Sequence, residues 1–365
     1  MKLPHYPHFT PIDLGLKDQL EPLFYQVMSG ISEFCFAGIY LFRNTYSYQV
    51  ALLEKDKFVL KGIKDGKTFA ALPLGFPEDR GIAKSLLESV DYIKGLSEPF
   101  ADEMRVWLEQ HEYEVCEDRD NFDYLYSREE LATLSGKRFH KKRNQVNSFL
   151  ANYPNHRTAW LTNETRDHAH QILEEWMVDR EDPGDYQASK EALELQELLG
   201  LEGYLVYVDD KPVAYTMGEA IQGGAMYIIH IEKGLPQYKG IYQFINQAYA
   251  EQLPTTVTTI NREQDLGDMG LRQAKMTYRP IGFTKKYRVC KAEQVLVPFH
   301  TRPCDVHEPQ WRSSGPKRVT QQKNSNHHYW SACTSNTWFW IVRIRYSDSW
   351  ENYSRTGESF RIKTL

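Results

Sequence analysis

Two stretches of this chain repeat one order of elements, and that repeat limits the fold more than any other feature. In the first half, the runs Tyr46 to Glu54, Lys57 to Ile63 and Lys67 to Pro73 read as strands. Lys55-Asp56 and Lys64-Asp65-Gly66 between them suit hairpin turns. Apolar residues at helical spacing predict a helix over 12–32 before this meander. Two further helices, Arg80 to Lys94 and Phe100 to Glu112, and a strand from Asn121 to Tyr126 follow it. The second half repeats the pattern. Helices over 165–179 and 187–200 lead into strands Glu202 to Val208, Pro212 to Ala220 and Ala225 to Ile231, with turns at Asp209-Asp210 and Gln222-Gly223-Gly224. A helix from Ile241 to Leu253, a strand from Thr255 to Ile260, another helix and a strand from Phe283 to Val289 complete it. The order predicts two α/β (α+β) units, each a mixed, mostly antiparallel sheet flanked by helices. The boundaries fall at 1–126, a basic helical connector over 127–153, and 154–298.

Length agrees, because 365 residues exceed what a single core of about 250–300 residues holds. Residues 299–365 share neither period and collect Trp, Ser, Asn and His, so this tail is expected to be disordered or non-native and is left out of the fold. Within it, Phe339 to Tyr346 has strand character. The formal charge of −5 excludes a uniformly basic nucleic-acid binder, so such a partner would have to meet a local patch. Cys35, Cys116, Cys290, Cys304 and Cys333 form no CxxC pair and no regular spacing, which predicts neither a disulfide framework nor a metal site. No window reaches the roughly 20 apolar residues of a membrane span, and a cytoplasmic location is expected.

Three motifs carry a family resemblance: Leu134-Ser-Gly-Lys-Arg-Phe-His-Lys-Lys-Arg-Asn144; Tyr238-Lys-Gly-Ile-Tyr-Gln-Phe-Ile-Asn246; and Asn261-Arg-Glu-Gln-Asp-Leu-Gly267 with Gly270-Leu-Arg-Gln-Ala-Lys275 and Tyr278-Arg-Pro280. With them, residues 5–295 resemble the phosphatidylglycerol lysyltransferase C-terminal domain family. That resemblance implies two tandem GNAT-like acyltransferase domains, similar to Fem-type ligases, with the second domain catalytic. It also implies transfer of an aminoacyl group from aminoacyl-tRNA to an amine or hydroxyl acceptor, which could be a small molecule, a lipid head group or a cell-envelope precursor. Two alternatives stay open: an N-acetyltransferase using acetyl-CoA, and a non-catalytic module that binds RNA or another anion.

Candidate site residues follow from the motifs. The run Lys137, Arg138, His140, Lys141, Lys142 and Arg143 could meet tRNA phosphates, with Phe139 as a stacking aromatic; the alternative is a solvated helix face. Gln237, Tyr238, Lys239, Gly240 and Tyr242, with Asn246 and Asn261, form the expected donor-binding set. Gln237 and Gly240 fit a phosphate-cradling turn at a helix start, whereas Tyr242 stands where coenzyme A binders keep a small residue. For catalysis, Lys275 and Arg272 would stabilise an oxyanion, with Asp265 beside them and His230 as base. Strand alternation predicts that His230 and Glu232 share a face. The competing structural readings are an i, i+4 pair of Asp268 with Arg272 and a strand histidine without chemistry.

Overall fold

The structure, a computed structural model, describes residues 2–54, 56–178, 180–292 and three short strands beyond them. The first sheet opens with β1 (Thr10–Pro11) and the meander β2 (Gln49–Glu54), β3 (Lys57–Lys64) and β4 (Lys67–Ala71). After α3 (Arg80–Glu88), capped by Asp79, comes β5 (Tyr92–Ser97), parallel to β4. Helix α4 (Glu98–Gln110) then leads to β6 (Tyr113–Glu117). The expected helix over 12–32 is instead a 3-10 turn at Leu14–Leu16 and α1 (Lys17–Phe24), followed by a turn at Gly30 and α2 (Phe36–Leu41). Gly30, at φ 70°, reverses the chain there, which a helical periodicity cannot signal.

The second sheet contains β7 (Asp123–Ser127), β8 (His156–Trp160), β9 (Glu202–Val208), β10 (Lys211–Ile221) and β11 (Met226–Gly234). It also contains β12 (Thr259–Asn261) and β13 (Gly282–Thr284). Its flanking helices are α5 (Arg128–Thr133), α6 (His140–Asn152), α7 (Arg166–Met177), α8 (Tyr186–Glu194), α9 (Gln196–Leu199), α10 (Ile241–Gln252) and α11 (Met269–Met276). Both meanders form where alternation placed them. In each sheet the meander is followed by a helix and then by a strand parallel to its last member.

The sheets exchange strands. The last strand, β14 (Lys286–Lys291), does not close the second sheet but lies between β5 and β6 in the first, while β7 lies between β13 and β12 in the second. The sequence-based assignment of 121–126 to the first unit and of 283–289 to the second is therefore corrected. A strand's sheet is chosen by nonlocal hydrogen bonding, which its own residues do not encode. The crossing point is polar and sealed. Lys286, fully buried, pairs with Glu33 and with fully buried Asp123 (2.7 Å), and Asp123 also accepts from the Ser32 backbone, the Ser32 hydroxyl and Asn261.

A separate unit, Glu308–Leu365, contains β15 (Arg343–Tyr346), which pairs with β16 (Ser349–Tyr353), and β16 pairs with β17 (Ser359–Phe360). β15 lies within the run expected to have strand character; apart from these three strands, the tail from residue 299 on lies outside the described residues.

Candidate functional site

Strands β11 and β12 pair in parallel at three positions, ending at Ile228↔Asn261; β11 then runs on to Gly234 while β12 stops. The strands part there, and α10 packs over the opening. The resulting narrow crevice is lined by Thr216, Ile229, Glu232, Ile245, Asn246 and Ile260. Its polar end is built from side chains of separate elements. Asn246 donates to Glu232 (2.8 Å), and Arg262 holds both Glu232 oxygens at 3.3 Å. The Arg262 guanidinium lies 5.0 Å from the Tyr278 ring centroid, and Lys142, arriving from α6, lies over the same ring at 3.9 Å. The Tyr278 hydroxyl is buried, with the side chains of Arg262 and Gln243 as its polar neighbours. Burial, aided by the Arg262 charge, brings Lys142 down to about 8.

The expected donor turn is shaped by packing. Gly240 adopts φ 89°, and a Cβ there would stand 2.6 Å from the Gln145 carbonyl oxygen, so the glycine is what lets the start of α10 pack against α6. Tyr242 folds back, donating to the Gly234 carbonyl (3.0 Å) and accepting from its N–H. Gln237 donates to Glu175, Tyr238 packs on Tyr153, and Lys239 is exposed. Of this set, Asn246 reaches the crevice. Asn261 points to the opposite face, donating to the Gly30 carbonyl and to Asp123.

The loop after β12 is tied down by the residues expected to act on an oxyanion. Lys275 donates to the carbonyls of Arg262, Glu263 (3.1 Å) and Gln264 (2.8 Å). Arg272 grips fully buried Asp265 with two bonds of 2.8 Å and reaches Asp120 at 2.7 Å. Burial opposes charge on Asp265, but Arg272, Tyr124 and the Gly267 N–H together hold its carboxyl below the usual range. Asp268 does not pair with Arg272; it caps α11 by accepting from the Leu271 N–H (2.6 Å). These contacts hold the backbone of Arg262 in position. The donor-binding Gly240 and the catalytic Arg272 and Lys275 expected from the sequence do not meet in one pocket, since Gly240 abuts α6 and the two cations face the 262–265 loop.

The basic run is divided in use. Phe139 is 1% exposed, and burying such a ring contributes about 1.5–3 kcal/mol, so it is a core residue and not a stacking platform. Arg143 donates to the Leu134 and Gly136 carbonyls, Arg138 pairs with Glu130, and Lys142 turns to Tyr278. Lys137, His140 and Lys141 are exposed.

His230 does not share a face with Glu232. Met217 pairs with Ile231 and Gly218 with Ile229, which leaves His230 as the extra residue of a β-bulge. The bulge resets the alternation and turns His230 away from the crevice, to Glu263 (2.8 Å) and Glu219 (3.1 Å). Gly218 permits the kink: a Cβ there would meet the Ile228 carbonyl oxygen at 1.9 Å.

With this geometry in view, comparison with known proteins places the chain. Residues 25–290 match the family described as phosphatidylglycerol lysyltransferase, C-terminal. The chain belongs to that family. A conserved protein of unknown function from Bacteroides thetaiotaomicron is 29% identical, with a TM-score of 0.71 over 78% of this chain and 99% of that one. L-PGS from Bacillus licheniformis is 14% identical, with a TM-score of 0.52 over 80% and 94% of the two chains, a likeness of fold alone. An uncharacterized protein of Mycoplasmoides gallisepticum is 24% identical over 173 residues, and the chain spans 55% of its length. In this family member the fold is two α/β halves that lend each other a strand. No helix among the described residues is long and apolar enough to cross a membrane. In this family member, sequence reasoning passed over Arg262 and Tyr278 as site residues although both stand inside the third motif. Their convergence with Lys142, more than 100 positions earlier, is a tertiary fact.

Proposed function

We propose that this family member transfers an aminoacyl group from aminoacyl-tRNA to an amine or hydroxyl acceptor at the polar end of the β11/β12 crevice. The observation that supports this most is the meeting of Lys142, Arg262, Glu232 and the buried Tyr278 at one place. Glu232 would bind the substrate α-ammonium. Neutral Lys142 takes a proton from the acceptor as its nitrogen or oxygen attacks the ester carbonyl. Arg262 and Tyr278 donate to the resulting oxyanion. The carbon–oxygen bond to the tRNA ribose then breaks, and the Lys142 ammonium returns the proton to the leaving ribose oxygen. Exposed Lys137 and Lys141, on the same segment as Lys142, are suited to tRNA phosphates. Acetyl transfer from acetyl-CoA is disfavoured by Tyr242, whose ring stands where coenzyme A binders keep a small residue and is held there by its bonds to Gly234.

The test supplies the full chain with total tRNA charged with radiolabelled amino acids, plus phosphatidylglycerol vesicles or a panel of small amines. Protein-dependent movement of label into an acceptor, reduced at least tenfold in Lys142→Met, supports the reading. Label that moves from acetyl-CoA and never from tRNA refutes it.

A further inference from the structure

The fold brings together three side chains that the sequence keeps far apart. Cys35 stands just before α2, Glu219 lies on β10, and His230 is the bulged residue of β11. The Cys35 sulfur lies 3.8 Å from His230 Nε2, and Glu219 Oε1 lies 3.1 Å from the same nitrogen. All three ligand atoms lie within 4.8 Å of one another. Tetrahedral zinc, with bonds of about 2.3 Å to sulfur and about 2.0–2.2 Å to nitrogen and oxygen, requires ligand separations of about 3.3–3.6 Å. The observed separations are within a few tenths of an ångström of those at both measured edges.

From this geometry we infer that Cys35, Glu219 and His230 form a binding site for a zinc-class divalent cation, with water in the fourth position. A thiolate, an imidazole and a carboxylate are the donor types zinc favours. The surroundings match a metal centre beyond the ligands themselves. The other ring nitrogen of His230 faces Glu263 at 2.8 Å, the outer carboxylate that fixes the tautomer and orientation of a ligating histidine. Glu263 is itself fixed, because its carbonyl accepts from Lys275 and its N–H donates to the Asn261 side chain.

The Glu219 side chain is 18% exposed, which gives the ion a path from solvent. Bound zinc would tie the turn that leads into α2 to two strands of the second sheet. The bulge at His230 then has a use that the crevice does not give it.

The experiment uses the untagged full chain, loaded with zinc and dialysed against metal-free buffer, with zinc read by elemental analysis and Co(II) binding read by absorption. About one zinc per chain is expected, together with a thiolate-to-cobalt charge-transfer band. Cys35→Ser should abolish both while leaving Cys116 and Cys290 in place and the circular dichroism unchanged. Glu219→Gln serves as a second variant should Cys35→Ser fail to fold, and it should bind zinc at least tenfold more weakly. No stoichiometric zinc in the parent chain, an undiminished band in folded Cys35→Ser, or unchanged affinity in Glu219→Gln overturns the site.

Discussion

Replacing Lys286 with Met tests whether the strand exchange depends on its buried ion pair. The Lys286 ammonium meets Asp123 at 2.7 Å and also Glu33, and both Lys286 and Asp123 are fully buried. At an effective dielectric constant of 20 the Lys286–Asp123 attraction alone is about 6 kcal/mol, from which the desolvation of both ions must be subtracted. Methionine fills a similar volume, so the change removes charge more than packing. It leaves Asp123 without a countercharge and Glu33 with Lys94 alone, and breaking a buried pair in this way costs about 3–5 kcal/mol. That is a large part of the about 5–15 kcal/mol that holds a folded chain together. Burial already raises Asp123 despite Lys286. Without Lys286 it rises further, so its protonated form is favoured in the folded state and the variant's deficit shrinks as pH falls through that folded pKa. Urea unfolding, followed by tryptophan fluorescence and by circular dichroism, measures the loss. Because each sheet holds a strand of the other half, both signals should move in one transition. Lys286→Met/Asp123→Asn should recover part of the loss. A deficit below about 1 kcal/mol, or one independent of pH, would refute the reasoning.

Three other perturbations probe the site. Gly240→Ala places a methyl 2.6 Å from the Gln145 carbonyl oxygen at φ 89° and should cost about 1–3 kcal/mol in thermal unfolding; a neutral change would mean that α6 yields easily. Lys142 is protonated below about 8 and neutral above it, so transfer should rise with pH through that value, and Lys142→Met should flatten the rise. An unmoved pH profile in a folded Lys142→Met would exclude Lys142 as the base. Lys137→Glu/Lys141→Glu should weaken tRNA retention and lower its salt dependence by roughly two phosphate contacts while leaving the melting temperature in place; retention equal to the parent's would separate these lysines from RNA.

Local chemistry made much of this legible. The meanders could be read because alternation and turn residues are properties of neighbouring positions. The third motif pointed to a real structural centre, although its Arg272 and Lys275 brace the loop that presents Arg262 and do not face the crevice. Asn246, named from its motif, lines the crevice, and Lys142, named for its charge, lies over the Tyr278 ring. The face of His230 was misread, because a bulge adds one residue and inverts a period of two. The cysteine spacing likewise gave no hint that Cys35 meets His230, since their proximity is set by tertiary packing between the turn before α2 and the bulge of β11.

By itself, the sequence determined the two repeated α/β halves, their family and the position of the motifs, because these depend on order, periodicity and residue type along the chain. Which sheet receives β7 and β14, which basic side chain enters the crevice, and which acids meet Cys35 and His230 were decided only by tertiary structure. Those outcomes depend on contacts between residues scores of positions apart, and such contacts are selected by the free energy of the whole packed molecule and not by any segment's own preference.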